Sequence, residues 1–205
     1  LLEFKHTKAF SLPGGFVFKE ESTDEAATRI LWERTGVKDI YLEQFHTFGE
    51  QNRGNWDVHK TTMSTHGFEL QADHWLLQRF ISIGYYALVD FSKVQPTPDI
   101  FSDLGNWHDI HQIPALILDH NLIIDKALET LRLMLDHKLV GFNLLSETFT
   151  MNELQSLYET ILDKKLLRAN FQRKMLSLGI LERVEKKFSG KAHKPPYVYR
   201  INQNQ

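Results

Sequence analysis

The chain has 205 residues with 24 Lys or Arg and 26 Asp or Glu, so its formal net charge at pH 7 is -2. Hydrophobic residues make up 42% and aromatic residues 12%, which is enough to bury a core and excludes a disordered chain. The absence of cysteine excludes disulfides, thiolate zinc sites and cysteine nucleophiles, and it favours a cytoplasmic location. No apolar run approaches the roughly 20 residues of a membrane span, so no membrane partner is expected. Because the chain begins with Leu1 rather than methionine, we expect a truncated N-terminus.

The charge is distributed unevenly along the chain. Residues 1–140 carry 13 basic and 20 acidic side chains, a net charge of -7, whereas residues 141–205 carry 11 and 6, a net charge of +5. From Asp163 onwards the excess is steeper, with 11 basic against 3 acidic residues. Such asymmetry indicates a nucleic-acid or acidic partner for the basic part, and a solvated basic tail is the alternative.

The N-terminal part is predicted to be mixed α/β. A turn signal at 11–15 precedes an apolar run at 16–18. Ser22 begins a segment with N-cap chemistry for a helix that runs to about Thr35, where Gly36 ends it. The buried stripe of this helix is predicted to comprise Ala26, Ala27, Ile30 and Leu31.

Two further strands are predicted at 41–48 and 80–89, the second being the most strongly β-branched and aromatic run of the chain. The polar segment between them, 49–77, is predicted to be a long loop or an insertion. A helix from about Leu122 to His137 follows. Its apolar stripe is typical of a connecting or dimer-forming helix and comprises Leu122, Ala127, Leu131 and Leu135.

The C-terminal part is predicted to contain two helices followed by two strands. Thr150 is placed to cap the first helix, with Glu153 at the capping-box position. The second helix spans about 168–178 and ends at Gly179, and strands are predicted at 181–188 and 197–201. The residues of the second helix predicted to face inward are Phe171, Met175 and Leu178. This order is the outline of a winged helix-turn-helix.

One motif in the N-terminal part has fixed spacings over more than twenty positions. Gly15, Glu21, Arg29 and Glu33, followed by Gly36, closely match the Nudix box, Gly-x5-Glu-x7-Arg-Glu-U-x-Glu-Glu-x-Gly-U, in which U is a bulky aliphatic residue. By this resemblance, residues 1–120 are expected to form a Nudix domain, an α/β/α sandwich around a mixed sheet.

The box lacks two of its three metal-binding glutamates. In Nudix hydrolases these glutamates lie on one face of the helix and hold Mg²⁺ or Mn²⁺ against a pyrophosphate. Here the three positions are Ile30, Glu33 and Arg34, so only Glu33 remains as a weak metal-ligand candidate, with Glu21 as an outer partner. We therefore predict no catalytic residue and no cofactor. Mg²⁺ would be needed only in the alternative, a diverged hydrolase that recruits acids such as Glu20, Glu43 or Glu50.

A degenerate Nudix domain followed by a basic winged helix resembles the Nudix-related transcriptional regulators, and the resemblance covers nearly the whole chain. It rests on the segments 11–17, 41–45, 79–88, 114–120, 142–145, 149–155 and 170–175. The segment 52–77 is longer than expected for this family. The resemblance implies a homodimer that binds operator DNA and responds to a small-molecule effector. In some branches the effector is ADP-ribose or a related nucleotide, and in another it is arabinose.

The fold class implied is α/β (α+β), with a Nudix-like sensor at 1–120, a connecting helix at 121–140 and a winged helix at 141–205. We predict that the effector contacts Arg34, Arg79 and Glu33, because a guanidinium suits a phosphate better than a metal. The side chains predicted to contact DNA are Arg168, Asn170, Gln172, Arg173, Lys174, Lys186, Lys187, Lys191 and Lys194. Arg and Gln suit bidentate contacts with base edges, whereas the wing lysines suit phosphates.

Two other functions are consistent with the sequence. A metal-dependent Nudix hydrolase of a nucleoside-diphosphate derivative is the alternative function, and a protein-interaction scaffold with a basic wing is a third. The histidines at 59, 66, 74, 108 and 111 lack partners at a strong metal-ligand spacing, so we interpret them as solvated loop residues.

Overall fold

A computed structural model of the chain contains two compact units, Leu1–Thr130 and Leu131–Gln205. The residues that the structure describes are 1–4, 7–53, 61, 64, 74–75, 78–99, 102–137, 141–186 and 196–202. Most of the predicted insertion at 49–77 lies outside these residues. No helix in the described part of the chain is long and apolar enough to cross a membrane.

The first unit contains a small antiparallel sheet of three short strands. These are β1 (Leu2–Glu3), β2 (Phe10–Ser11) and β5 (Leu104–Gly105), in the order β2-β1-β5. A parallel bridge joins Phe10 to Leu116. The sheet places Leu2 and Phe4 in the core, where each is about 5% exposed or less.

A second antiparallel pair joins β3 (Glu43–Phe48) to β4 (Ser82–Tyr86). Both strands were predicted, but β4 is shorter than the predicted 80–89. Gly84 of β4 is buried beneath two rings of β3. A Cβ at this position would lie 2.6 Å from Cζ of Phe45 and 3.0 Å from Cε2 of Phe48. The close approach of strand and rings therefore requires a glycine.

Helix α1 (Thr23–Thr35) has the boundaries predicted from the sequence. The Ser22 hydroxyl accepts a hydrogen bond from the Glu25 N–H, and the Glu25 carboxylate accepts one from the Ser22 N–H, which completes a capping box. Gly36 ends the helix with φ 69°, in the left-handed region that favours glycine. Of the predicted buried stripe, Ala26 is fully buried and the other three residues are partly buried.

Helix α2 (His120–Met134) begins in the first unit, and its last residues belong to the second. It is shorter at its C-terminal end than the predicted 122–137. Leu131 and Leu135 are buried, whereas Leu122 is 55% exposed. The stripe predicted for this helix is therefore buried only towards its C-terminal end.

The second unit is a winged helix, as predicted. It contains β6 (Phe149–Thr150), α3 (Met151–Leu162), α4 (Arg168–Ser177), β7 (Leu181–Lys186) and β8 (Tyr197–Ile201), with the sheet order β6-β8-β7. The Thr150 and Glu153 capping box forms as predicted. The buried core of this unit consists of Leu135, Phe142, Phe149, Met151, Leu154, Tyr158, Phe171, Met175 and Tyr199.

The prediction that Leu178 faces inward is wrong, since this side chain is 37% exposed. Helix α4 ends at Ser177, so Leu178 lies beyond the last helical turn that carries Phe171 and Met175 into the core. Gly179 follows with φ 70° and ends the helical segment. The helical periodicity that predicts Leu178 as buried no longer applies once the helix has ended.

Candidate effector site and nucleic-acid interface

The residues of the Nudix box are joined through one arginine. Arg29 donates through Nε and Nη2 to both carboxylate oxygens of Glu21, at 2.9 and 2.6 Å, and through Nη1 to Glu33 at 3.1 Å. Its Nη2 also donates to the Phe16 carbonyl at 2.8 Å, and its guanidinium lies 4.1 Å from the centre of the Phe18 ring. Arg29 thus ties the loop before α1 to the helix itself.

The charged groups of this cluster are bonded to one another, which favours a structural role over catalysis. The Arg29 guanidinium and the Phe18 N–H hold the pKa of Glu21 below its usual range. The carboxylates in turn raise the pKa of Arg29, and the largest cause is the hydrogen bonding of Arg29 to Glu21. A carboxylate that already accepts a charged hydrogen bond from arginine is a poor ligand for a metal, because the guanidinium repels the cation.

The other two glutamate positions of the box are occupied by side chains with different roles. Ile30 packs against Gly15, where an added Cβ would lie 2.8 Å from Cγ1 and Cδ1 of the isoleucine. Arg34 is largely buried, with Nη2 4.0 Å from Asp99, and its Nε is buried with no hydrogen-bond partner among the described residues. The box therefore keeps the packing of a Nudix helix without its set of metal ligands.

The acids considered as replacements are not gathered around Glu33. Glu20 and Glu50 are exposed, and Glu43 accepts a hydrogen bond from the Tyr41 hydroxyl. Within the described ranges, no group of three or more His, Asp or Glu side chains could hold a metal ion.

Arg79, the third residue predicted to bind the effector, is exposed and donates through Nη2 to the Gly49 carbonyl. In the part of the chain that the structure describes, no hydrogen bond or ion pair joins Arg79 to Arg34 or Glu33. The structure thus brings Gly15, Glu21, Arg29 and Glu33 together along α1, and it gives Arg79 a separate partner.

Helix α4 presents polar side chains away from the core of the winged helix. Phe171 and Met175 are 4% and 0% exposed, whereas Arg168, Asn170 and Arg173 are exposed and Gln172 is partly so. The Asn170 side-chain oxygen accepts a hydrogen bond of 3.0 Å from Arg173. This contact orients the two side chains most suited to base edges on the solvent face of one helix.

Lys174 differs from its neighbours on α4. Its ammonium group forms an ion pair with the carboxylate of Asp136, which lies just beyond the end of α2. Sequence reasoning predicted a DNA contact here and missed this partner, because Asp136 is 38 residues away in the chain.

The wing is described in part. Lys186 is the last residue of β7, and the predictions at Lys187, Lys191 and Lys194 lie outside the described residues. Sequence reasoning missed Arg183 of β7, whose guanidinium lies 4.0 Å from the centre of the Tyr197 ring on β8. The sequence contained a clue to this contact, because an arginine lies in the first predicted strand and an aromatic residue in the second, and paired strands bring such side chains together.

Several histidines of the described residues have contacts or caps that the structure defines. The ring of His108 packs edge-on against Phe10, with centroids 5.6 Å apart, and that of His74 stacks on Trp75. His111 lies in a short 3₁₀ turn capped by Asp109. His120, which the sequence did not single out, accepts a hydrogen bond from the Leu12 N–H through Nδ1 at 3.0 Å. His59 and His66 lie outside the described residues.

Comparison with known domain families gives two matches. The NUDIX domain matches residues 3–131, and the NrtR DNA-binding winged helix domain matches residues 141–201. The chain belongs to the Nudix family. In it the Nudix domain is joined to an NrtR-type winged helix, which confirms the resemblance to Nudix-related transcriptional regulators.

Related proteins are similar to this chain over most of its length. The chain is 29% identical over 199 residues to the ADPR responsive transcriptional repressor NtrR of Acinetobacter baylyi, covering 94% of this chain and 69% of the relative. The crystal structure of Shewanella oneidensis NrtR is 26% identical with a TM-score of 0.61, covering 95% of this chain and 81% of that one. The same protein complexed with a 27mer DNA is 25% identical with a TM-score of 0.62, at coverages of 95% and 80%.

Proposed function

We propose that this protein is a ligand-responsive transcriptional repressor, in which a non-hydrolytic Nudix domain binds a nucleotide and the winged helix binds operator DNA. The observation that carries the proposal is the pairing of the two domains in one chain, with Glu33 of the box bound to Arg29. Support for repression comes from the Acinetobacter relative, which is described as a repressor, and support for DNA binding comes from the Shewanella protein, which is seen with a 27mer DNA.

The chemistry of the box supports sensing rather than hydrolysis. Phosphoryl transfer in this family needs several carboxylates around a divalent cation. Ile30 offers no ligand, Arg34 is a fixed cation, and Glu33 is already paired with Arg29. A site with this composition offers an arginine to a phosphate but lacks the groups that would activate water.

We propose ADP-ribose, or a nucleotide diphosphate of similar chemistry, as the effector. The Acinetobacter relative is described as ADPR responsive, and the relatives give no support to arabinose. Arg34 is the residue best suited to the pyrophosphate, because its Nε is buried without a hydrogen-bond partner among the described residues and Asp99 is 4.0 Å from Nη2. Arg79 and Glu33 are proposed as secondary contacts, Glu33 through its free carboxylate oxygen.

For the DNA-binding surface, we propose that Arg168, Asn170, Gln172 and Arg173 of α4 contact base edges and adjacent phosphates. The wing lysines 186, 187, 191 and 194 would contribute salt-dependent phosphate contacts. A homodimer is proposed because two copies of one reading helix match the two half-sites of a palindromic operator.

Selection of DNA from a randomised duplex pool tests the DNA-binding part of the proposal. We expect the protein to enrich one palindromic duplex and to bind it with an affinity that falls steeply with salt. Arg173→Ala should weaken binding to this duplex about tenfold or more, because a lost bidentate base contact costs about 1–3 kcal/mol. Lys126→Ala, an exposed basic residue of the first unit, serves as the control and should leave binding unchanged. If no duplex is enriched, the DNA-binding proposal is wrong.

Calorimetric titration with ADP-ribose tests the sensor. The wild type should bind ADP-ribose and release the selected duplex, and Arg34→Ala should weaken ADP-ribose binding by about tenfold or more through the loss of a charge-assisted contact. Incubation with ADP-ribose and Mg²⁺ or Mn²⁺, followed by product analysis, checks for hydrolysis. Turnover at ordinary enzyme rates would contradict the non-hydrolytic reading.

A further inference from the structure

The last turn of helix α2 and the two residues after it, Leu131–Asp136, belong to the winged-helix unit. Leu135 is 1% exposed and belongs to the buried core of this unit, and Leu131 is 8% exposed. Arg132 donates through Nε to the Ile161 carbonyl at 3.0 Å, which satisfies a carbonyl in the last turn of α3. The Tyr158 hydroxyl of α3 donates to the Leu135 carbonyl at 3.3 Å. Segment 131–136 is therefore bonded to α3 by two hydrogen bonds.

The same segment forms an ion pair with helix α4. Lys174 of α4 binds the carboxylate of Asp136, with the side chains 48% and 37% exposed. An acidic residue at the C-terminal end of a helix is disfavoured by the helix dipole, and Asp136 stands two residues beyond the last residue of α2. The charge of Asp136 also contributes, after burial, to the raised pKa of Tyr158. The Lys174 ammonium offsets the unfavourable position of the Asp136 carboxylate at the end of the helix, which gives this pair a physical reason to persist.

The position of Lys174 on α4 determines what the ion pair can do. It follows Phe171 by three residues and immediately precedes Met175, and these two side chains anchor α4 in the core. Apolar anchors hold a helix against the core, and an ion pair at the edge of the contact restricts its rotation about its own axis. We propose that Lys174 is a positioning residue, which sets the orientation of α4 through Asp136, rather than a contact to DNA phosphate. This inference rests on the proposed role of α4 in reading the operator.

The two roles of Lys174 predict different DNA-binding behaviour. A phosphate contact weakens binding to all sequences alike, and its loss lowers the slope of log affinity against log salt by about 0.9. A positioning residue affects the bonds that α4 makes to base edges, so its loss weakens binding to the selected duplex alone. The slope then stays constant, because the number of neutralised phosphates is unchanged.

The experiment compares Lys174→Gln, Asp136→Asn and the double variant with the wild-type protein. Each is titrated with the duplex selected by the wild type and with a shuffled duplex of equal composition, at several salt concentrations. Lys174→Arg tests rescue by a second cation that can reach Asp136. Glu129→Gln serves as the control, since Glu129 forms a comparably exposed ion pair with Lys126 in the first unit. Thermal unfolding of every variant, without DNA, separates folding from positioning.

We expect Lys174→Gln and Asp136→Asn each to weaken binding to the selected duplex about three- to fivefold, as suits a half-exposed ion pair. The double variant should be no weaker than either single variant, because both remove the same bond. Binding to the shuffled duplex and the salt slope should stay as in the wild type, and Lys174→Arg should retain most of the affinity.

Three results would overturn the inference. A lower salt slope for Lys174→Gln, with Asp136→Asn binding as well as the wild type or better, would identify Lys174 as a phosphate contact. A lower melting temperature of the variants, with unchanged affinity for the selected duplex, would show that the ion pair stabilises the fold but does not position α4. If the wild-type protein enriches no duplex, both the proposed function and this inference are wrong. That outcome is seen before any variant is made, so it is distinguishable from the other two.

Discussion

Arg53 provides the sharpest test of the forces that hold the first unit together. Its side chain is 4% exposed and donates through Nε and Nη2 to both oxygens of Asp119, at 2.7 and 2.8 Å. Its Nη1 donates to the Phe80 carbonyl at 3.1 Å and to the Ser82 hydroxyl at 2.8 Å. One guanidinium therefore joins the residue before α2 to the start of β4. We expect Arg53→Met, which keeps much of the side-chain length, to destabilise the first unit strongly.

The magnitude follows from what the substitution leaves behind. Asp119, whose side chain is 12% exposed, would lose two charged hydrogen bonds and remain as a buried carboxylate without its counter-ion. Breaking a buried ion pair from one side costs about 3–5 kcal/mol. The Phe80 carbonyl also loses a donor, so the upper part of this range is expected. For a unit of this size the loss corresponds to a fall in melting temperature of about 10–15 °C.

Tryptophan fluorescence during urea unfolding measures this loss selectively, because all four tryptophans lie within residues 1–130. Lys126→Met is the matched control, since its ion pair with Glu129 is exposed and should contribute less than about 1 kcal/mol. Adding Asp119→Leu to Arg53→Met should recover part of the stability, because no buried charge is then left unpaired. A change below about 1 kcal/mol for Arg53→Met, or a double variant less stable than the single one by more than that, would refute the reasoning.

Three further predictions concern single sites. Gly84→Ala should destabilise the first unit by about 1–3 kcal/mol in the same fluorescence assay, because the new methyl group would meet the Phe45 ring at 2.6 Å; an unchanged midpoint would contradict this packing. Thr150→Ala should lower the stability of the winged helix by about 1 kcal/mol, measured by circular dichroism, through loss of the capping bond to α3. Hydrogen bonds led by that from Lys165 lower the pKa of Glu159 to about 2, so this carboxylate stabilises the fold above its ordinary pKa of 4.5 and loses that contribution as the pH falls from 4.5 to 2. Glu159→Gln should flatten the pH dependence of unfolding in this window, and an identical acid profile would count against the assignment.

The helix starts were predictable because the residues that cap each helix lie within a few positions of one another in the sequence. Both capping boxes join residues three positions apart, Ser22 to Glu25 and Thr150 to Glu153, so the sequence spacing alone brings the partners together. The N-cap chemistry that begins at Ser22 and the glycine at Gly36 likewise predicted the bounds of helix α1. The residue substitutions within the box predicted the loss of the metal-ligand set, although the bond between Arg29 and Glu33 emerged only in the structure.

The candidate site was predictable in composition more than in geometry. The exposed residues of α4 follow from helical periodicity, since Phe171 and Met175 fix which face is buried. Periodicity failed at Leu178, because it carries no information about where a helix stops. Helical periodicity also gave no partner for Lys174, because the sequence alone does not show which acidic residue of the chain lies near it.

The sequence by itself determined the order of the two domains, the helix boundaries set by local caps, and the opposite charges of the two halves that cancel to -2. Tertiary structure alone decided which charges meet across the chain. Arg53 finds Asp119 after 66 residues and Lys174 finds Asp136 after 38. The physical reason is that short-range bonds are fixed by covalent spacing, whereas the partner of a distant charge depends on how the intervening elements pack and on how much water that packing removes.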